Sequence, residues 1–97
     1  MPPMTSEGTA PIEVLKAAAT SKPVLVAGAI AGVIRSKGRV EIHVIGAGAV
    51  NQAIKAIAIS RGYLTPAGLE LVCIPSFVDL SLDGRERTGI RLLVELR

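Results

Sequence analysis

The sequence predicts an α+β fold, a two-layer sandwich in which two helices cover one face of a mixed four-stranded sheet, in the order β-α-β-α-β-β. Two observations carry this prediction. Short alternating segments that suit strands are separated by two apolar segments with helical spacing. The chain then closes with two long segments joined by Asp83-Gly84, a strong signal for a hairpin turn. Right-handed crossovers place both helices on the same side of the sheet.

The length of the chain sets the number of domains. Its 97 residues are enough for one two-layer core and too few for two independent domains. We expect residues 1–11 to form a mobile tail, because they combine prolines with small polar residues, and residues 12–97 to form the domain. Hydrophobic residues make up 49% of the chain but aromatic residues only 2%, so small aliphatic side chains must fill the core.

Three features indicate a cytoplasmic protein. The single cysteine, Cys73, lies in an apolar segment and cannot form an internal disulfide. The longest apolar segment, Pro23 to Ile34, is shorter than the roughly 20 residues that a membrane-spanning helix needs. The first residues lack the basic and apolar regions of an export signal, so we expect no contact with a membrane.

The first strand and helix follow the tail. We assign a short strand to residues 12–20, and a helix that begins at Pro23, where a missing N–H costs nothing, and ends at Gly38. Its inward positions are Val26, Ile30, Val33 and Ile34. Gly28 and Gly32 lie one turn apart, and we interpret them as letting the helix approach the sheet closely.

The second strand, residues 39–45, leads through Gly46-Ala47-Gly48 into the second helix, which we end at Gly62. The inward positions predicted for this helix are Val50, Ile54, Ile57 and Ala58. The hairpin occupies residues 69–97, and without a bulge its strands pair from Leu82 opposite Arg85 outward.

The two faces of the hairpin differ in character. One is continuously apolar, with Leu71, Cys73, Pro75 and Phe77 beside Ile90, Leu92, Val94 and Leu96. The other carries arginines near the turn and then an apolar patch of Val72, Ile74 and Leu93. Because the helices do not cover this second face, the patch predicts an interface with another subunit, in a dimer or tetramer.

The turn before the second helix has two interpretations. Gly46 and Gly48 match the start of a dinucleotide-binding fingerprint, but Asn51 replaces its third glycine and no acidic residue follows at the required distance. Tight strand-to-helix geometry is therefore favoured over a nucleotide site. An anion could still bind the free N–H groups of the helix, with Asn51 assisting, so this turn stays a candidate anion site.

No chemistry of a catalytic or metal site is visible. His43, the single histidine, has no nucleophile or second acid-base group at a suitable spacing, and the acidic residues lack the pattern of a metal loop. We expect neither catalytic residues, nor a metal, nor a cofactor. The net charge of +3, from 11 basic and 8 acidic residues, permits nucleic-acid binding without requiring it.

Four longer motifs resemble a known family. VAGAIAGVIRSKG, EIHVIGAGAVNQAIKAIAISRG, ELVCIPSF and DGRERTGIRLLVE are similar to the stage V sporulation protein S family of small bacterial proteins, from about Glu13 onward. This resemblance implies a role in bacterial development and cell division. Ser21-Lys22-Pro23-Val24 and Asp83-Gly84-Arg85 also resemble the Alba family of archaeal chromatin and RNA-binding proteins, which are dimers that bind nucleic acid with helix-preceding loops and hairpin arms.

The Alba similarity implies which residues meet nucleic acid. It makes Lys22 a phosphate contact and Arg85 and Arg87 arm contacts, although Alba proteins tend to have basic residues where this chain has the uncharged turn 46–49. The strand period places Arg91 on the face of Arg85 and Arg87, where the alternative interpretation is solvated charge that protects an edge. The flanking candidates are Lys55 and Arg61.

Two functions are therefore open. The first is a non-enzymatic protein that binds DNA or RNA backbone as a dimer or higher oligomer. The alternative is a protein-interaction module that uses the apolar sheet patch and does not bind nucleic acid.

Overall fold

Residues 11–97, the part of the chain that the computed structural model describes, form two helices packed on one face of a four-stranded sheet. The strands are β1 (Val14–Lys16), β2 (Arg39–Val44), β3 (Leu71–Leu82) and β4 (Arg85–Leu96). The helices are α1 (Pro23–Lys37) and α2 (Ala47–Leu64), and a single 3₁₀ turn, Thr65–Ala67, follows α2. The predicted tail lies outside the described residues except for Pro11.

The sheet has the order β1-β2-β4-β3. β1 pairs with β2 in parallel, and the other two pairs of strands are antiparallel. The predicted element order and mixed sheet are therefore confirmed. The core lies between the helices and the even-numbered residues of β2 and β4, among them Val40, Ile42, Leu92 and Val94.

Both ends of α1 agree with the sequence. Pro23 occupies the first helical position. Gly38 adopts a left-handed conformation with φ 82°, and its N–H donates to the Ile34 carbonyl at 2.9 Å. The predicted interpretation of Gly28 and Gly32 is wrong, because both are exposed and a Cβ on either would meet no atom within 4 Å.

The first strand is shorter than predicted. It ends at Lys16, because the chain then turns on two hydrogen bonds. The Ala18 N–H donates to the Ser21 hydroxyl at 2.9 Å, and the Ser21 N–H donates to the Ala18 carbonyl at 3.0 Å. These bonds direct the chain out of the sheet and into α1.

The second helix is longer than predicted and buries a different stripe. Gly62 lies inside α2, which ends at the fully buried Leu64. Ile54 and Ala58, predicted inward, are exposed. The buried residues are Ala49, Ala53, Ala56, Ile57, Ser60 and Leu64. Alanines allow α2 to pack closely, so the inward face follows the small residues rather than the largest ones.

The hairpin has the predicted register. Leu82 pairs with Arg85, Leu71 pairs with Leu96, and every residue between them is paired without a bulge. Asp83 and Gly84 have φ values of 54° and 74°, as a two-residue turn of type I′ requires. No helix among residues 11–97 is long and apolar enough to cross a bilayer.

Candidate nucleic-acid interface

One end of the sheet gathers most of the predicted contacts. Because β1 and β2 are parallel, both strands finish at this end, and the helix that follows each one begins there. β4 runs antiparallel to β2, and Ile90 is the residue opposite Val44. The rest of the hairpin, residues 78–89, therefore extends past β2 by roughly 15 Å, and we call it the arm.

Both helix N-termini at this end are free of acidic side chains. Lys22 precedes α1 and Gly46 precedes α2, and neither helix in the described chain has a side-chain cap or an acidic residue in its first turn. Unpaired N–H groups and the helix dipole give each N-terminus a partial positive charge. This end of the protein consequently favours anions.

The glycine turn before α2 has a packing reason. Gly46 adopts φ 91°, which only glycine takes readily. A Cβ on Gly48 would lie 2.8 Å from the Cβ of Ala19, so the loop that precedes α1 is in tight contact with the first turn of α2. Gln52 donates from Nε2 to the Ser21 carbonyl at 2.9 Å and joins α2 to the same loop. The contact requires the smallest residue at position 48.

Two arginines of the arm carry uncompensated charge. Arg85 and Arg87 are exposed, and within residues 11–97 neither forms an ion pair. Arg91 differs, because its Nε donates to the Ser76 hydroxyl at 3.1 Å and its Nη1 lies 3.7 Å from Oε2 of Glu41. The register places all three on the sheet face that is turned away from the helices.

The arm is cationic on that face alone. Asp79 pairs with Thr88 and Glu86 pairs with Ser81, so both carboxylates alternate onto the opposite face. Phe77 lies on that opposite face too and is 80% exposed. A phosphate backbone would thus meet attraction on one side of the arm and repulsion on the other.

The arm packs closely against the end of β2. Gly89 is buried, and a Cβ on it would lie 2.7 Å from the Val44 carbonyl oxygen. Leu80 and Leu82, which are on the arginine face, border a cavity together with residues 17–19. The arginine-bearing face therefore looks toward the loop that carries Lys22.

The structure does not bring Arg61 to this surface. Its Nη2 lies 3.5 Å from Oε2 of Glu70, which precedes β3, whereas the arm begins at Val78 of that strand. The eight residue steps from Glu70 to Val78 span about 26 Å. Lys55 is exposed on α2 between them.

The predicted oligomer patch lies on the uncovered face of the sheet. Ile74 is opposite Leu93 and is 50% exposed, while Val72 and Leu93 are half-buried. Beside the patch, Nε2 of His43 lies 3.0 Å from Oε1 of Glu41. Glu41 also pairs with Arg91, so His43, Glu41 and Arg91 form a row of paired polar groups beside the patch.

Other reactive groups are few in the described chain. Among residues 11–97, no three His, Cys, Asp or Glu side chains lie together as a metal site would need. Cys73 is half-buried against the core, and burial raises the pKa of its thiol. A neutral thiol of this kind behaves as a small hydrophobe.

Sequence reasoning missed two features of this end. Neither the close packing of the arm at Gly89 nor the cavity beside it was foreseen. The available signal was Gly89 inside a strand, which marks a close approach of backbone or a bulge.

A comparison with known families agrees with the sequence resemblance. The family model described as Stage V sporulation protein S (SpoVS) matches residues 13–97, and the chain belongs to this family. Membership supports a role in sporulation. The observed element order is compatible with an Alba-like fold.

Proposed function

We propose that this member of the Stage V sporulation protein S family is a non-enzymatic protein that binds the backbone of DNA or RNA, as a dimer or higher oligomer, in bacterial sporulation and cell division. The observation that carries the proposal is the shared position of Arg85, Arg87, Lys22 and two uncapped helix N-termini at one end of the domain. Each of these groups favours a phosphate.

Contact with the backbone rather than with bases is supported by the placement of the rings. The chain has two, Phe77 and Tyr63. Phe77 lies on the same sheet face as Asp79 and Glu86, and the carbonyl of Tyr63 accepts a 3.4 Å hydrogen bond from Arg35 at the far end of both helices. Neither ring is beside Arg85 or Arg87, so base stacking contributes little and tolerance of sequence is expected.

An oligomer strengthens this surface. The exposed Ile74 and its neighbours Val72 and Leu93 would be covered by a second copy, which gives two arms to one particle. A dimer that engages Lys22, Arg85 and Arg87 twice makes roughly six phosphate contacts, for which the plot of log affinity against log salt has a slope of about −5 on duplex DNA.

The decisive experiment measures binding to duplex DNA, single-stranded DNA and RNA at several salt concentrations, beside the oligomer mass. The test variant is Arg85→Gln with Arg87→Gln, and the control is Arg35→Gln with Arg61→Gln, which removes the same charge at the far end. We expect the test variant to lose most affinity and to flatten the salt slope while the control binds normally. Equal losses in both variants would contradict the assignment of the arm.

A protein-interaction module is the second candidate function, and the half-exposed Ile74 on an uncovered sheet face favours it. In that case no nucleic acid binds even at low salt. A specific protein then co-purifies with the wild type and is lost from Ile74→Glu. Binding of nucleic acid by the arm together with an unchanged set of co-purifying proteins would exclude this function.

A further inference from the structure

A cavity of about 520 Å³ lies between the arm and the loop after β1. The loop side is formed by residues 17–19, and the other wall by Ile45, Leu80 and Leu82. Lys16 and His43 supply the polar groups. Small-molecule sites have this character, with volumes of about 300 to 1,000 Å³, mostly apolar walls and a few polar groups.

The shape of the cavity depends on the close packing at Gly89. Because Gly89 has no side chain, the Leu80 side chain reaches over β4, and its Cδ1 lies 2.8 Å from the position that a Cβ on Gly89 would take. Ile45 Cγ1 lies 3.2 Å from the same position, so Leu80 and Ile45 come together between the arm and the end of β2. On the other side, the tight contact of Gly48 with Ala19 fixes the loop that forms the opposite wall.

The charge inside the cavity has one sign. Lys16 is paired with His43 across β1 and β2, and within residues 11–97 its ammonium group forms no ion pair. None of the described residues that line the cavity is acidic. The nearest carboxylate in the network, Glu41, is already engaged by His43 at 3.0 Å and by Arg91 at 3.7 Å.

We propose that this cavity binds a small molecule with one anionic head group and an apolar body. The Lys16 ammonium group holds the head, with the His43 imidazole beside it, and the body lies against Ile45, Leu80 and Leu82. An apolar wall of this extent does not suit a phosphodiester backbone, which needs charge along its whole length. The site goes beyond the proposed function, and its existence does not depend on nucleic-acid binding.

The test uses the full chain without nucleic acid and takes decanoate as the probe. Calorimetric titration is expected to show binding to wild type, and the thermal midpoint is expected to rise with decanoate concentration. Loss of a charge-assisted contact in Lys16→Met should weaken binding about tenfold or more. Lys37→Met, which removes an exposed lysine that pairs with Glu13 away from the cavity, should bind as wild type does.

Two further measurements keep the outcome clear. Leu82→Glu changes an exposed wall residue and is expected to fold while it loses decanoate binding, since it adds a carboxylate to the apolar wall. Decanol, which has the same apolar body without charge, should bind much more weakly than decanoate. Equal affinity of decanol and decanoate, an unchanged affinity in Lys16→Met, or no binding to wild type would each overturn the proposal.

Discussion

Replacing Gly89 by alanine tests whether the arm is held against the end of β2. Gly89 is buried, and the added Cβ would lie 2.7 Å from the Val44 carbonyl oxygen and 2.8 Å from Leu80 Cδ1. Real Cβ atoms do not approach so closely, and a backbone oxygen in a paired strand cannot move alone. The arm must therefore tilt away from β2 to accept the methyl group.

The expected cost follows from two opposing effects. Overpacking in a well-packed site destabilises by about 1–3 kcal/mol. The lower entropy of an unfolded chain with alanine returns about 0.4–1 kcal/mol. The middle values of these two ranges leave a net loss of about 1.3 kcal/mol, which in a domain of this size lowers the thermal midpoint by roughly 5–10 °C.

The assay is thermal and urea denaturation at one fixed protein concentration, because oligomerisation makes stability depend on concentration. Gly62→Ala is the matched control, since Gly62 lies within α2 and a Cβ there would meet no atom within 4 Å. That same substitution should stabilise the protein by about 0.5–1 kcal/mol through helix propensity. If Gly89→Ala were as stable as wild type, the close approach of the arm would be refuted.

Three further predictions concern the turn, the oligomer and the thiol. Asp83→Val should destabilise the protein by about 1–2 kcal/mol in urea denaturation because φ is 54°, whereas Asp83→Asn should be nearly neutral. The particle mass from light scattering should fall to that of a monomer in Ile74→Glu, because the proposed oligomer is held by this patch. If Leu25→Glu dissociated the protein instead, the interface would lie on the helices, where Leu25 is 69% exposed. Burial raises the pKa of Cys73, and only the thiolate reacts with iodoacetamide. At about pH 8 the folded protein should therefore react more slowly than the urea-unfolded chain. Equal rates would contradict this.

The fold could be predicted because its signals are local. Pro23 and Gly38 fix the limits of α1, and Asp83-Gly84 fixes both the hairpin and its register. The mistakes came where tertiary packing decides. Gly62 resembles a helix terminator, but α2 continues to Leu64, whose burial stabilises its last turn.

The candidate site was predicted less completely, because alternation along a strand gives a face and not a position in space. It correctly placed Arg85, Arg87 and Arg91 on one face. The hairpin register also put Ser76 opposite Arg91, and the two side chains are hydrogen-bonded. It did not show that Glu41 engages Arg91, since β2 and β4 are far apart in sequence. Arg61 was grouped with the arm by charge alone, and only the direction of α2 places it at the other end.

The uncharged turn and the close packing of the arm at Gly89 have a common consequence for nucleic-acid binding. Gly48 must be small because the loop before α1 packs on the first turn of α2. The cationic groups of this end, which are Lys16, Lys22 and the arm arginines, lie outside the uncharged turn. Arg85 and Arg87 lie on a projecting hairpin whose angle depends on the contact at Gly89. Affinity should therefore depend on arm geometry as well as on charge. Gly89→Ala, which alters no charge, should weaken binding in the proposed nucleic-acid assay even below its unfolding temperature, whereas Gly62→Ala should not.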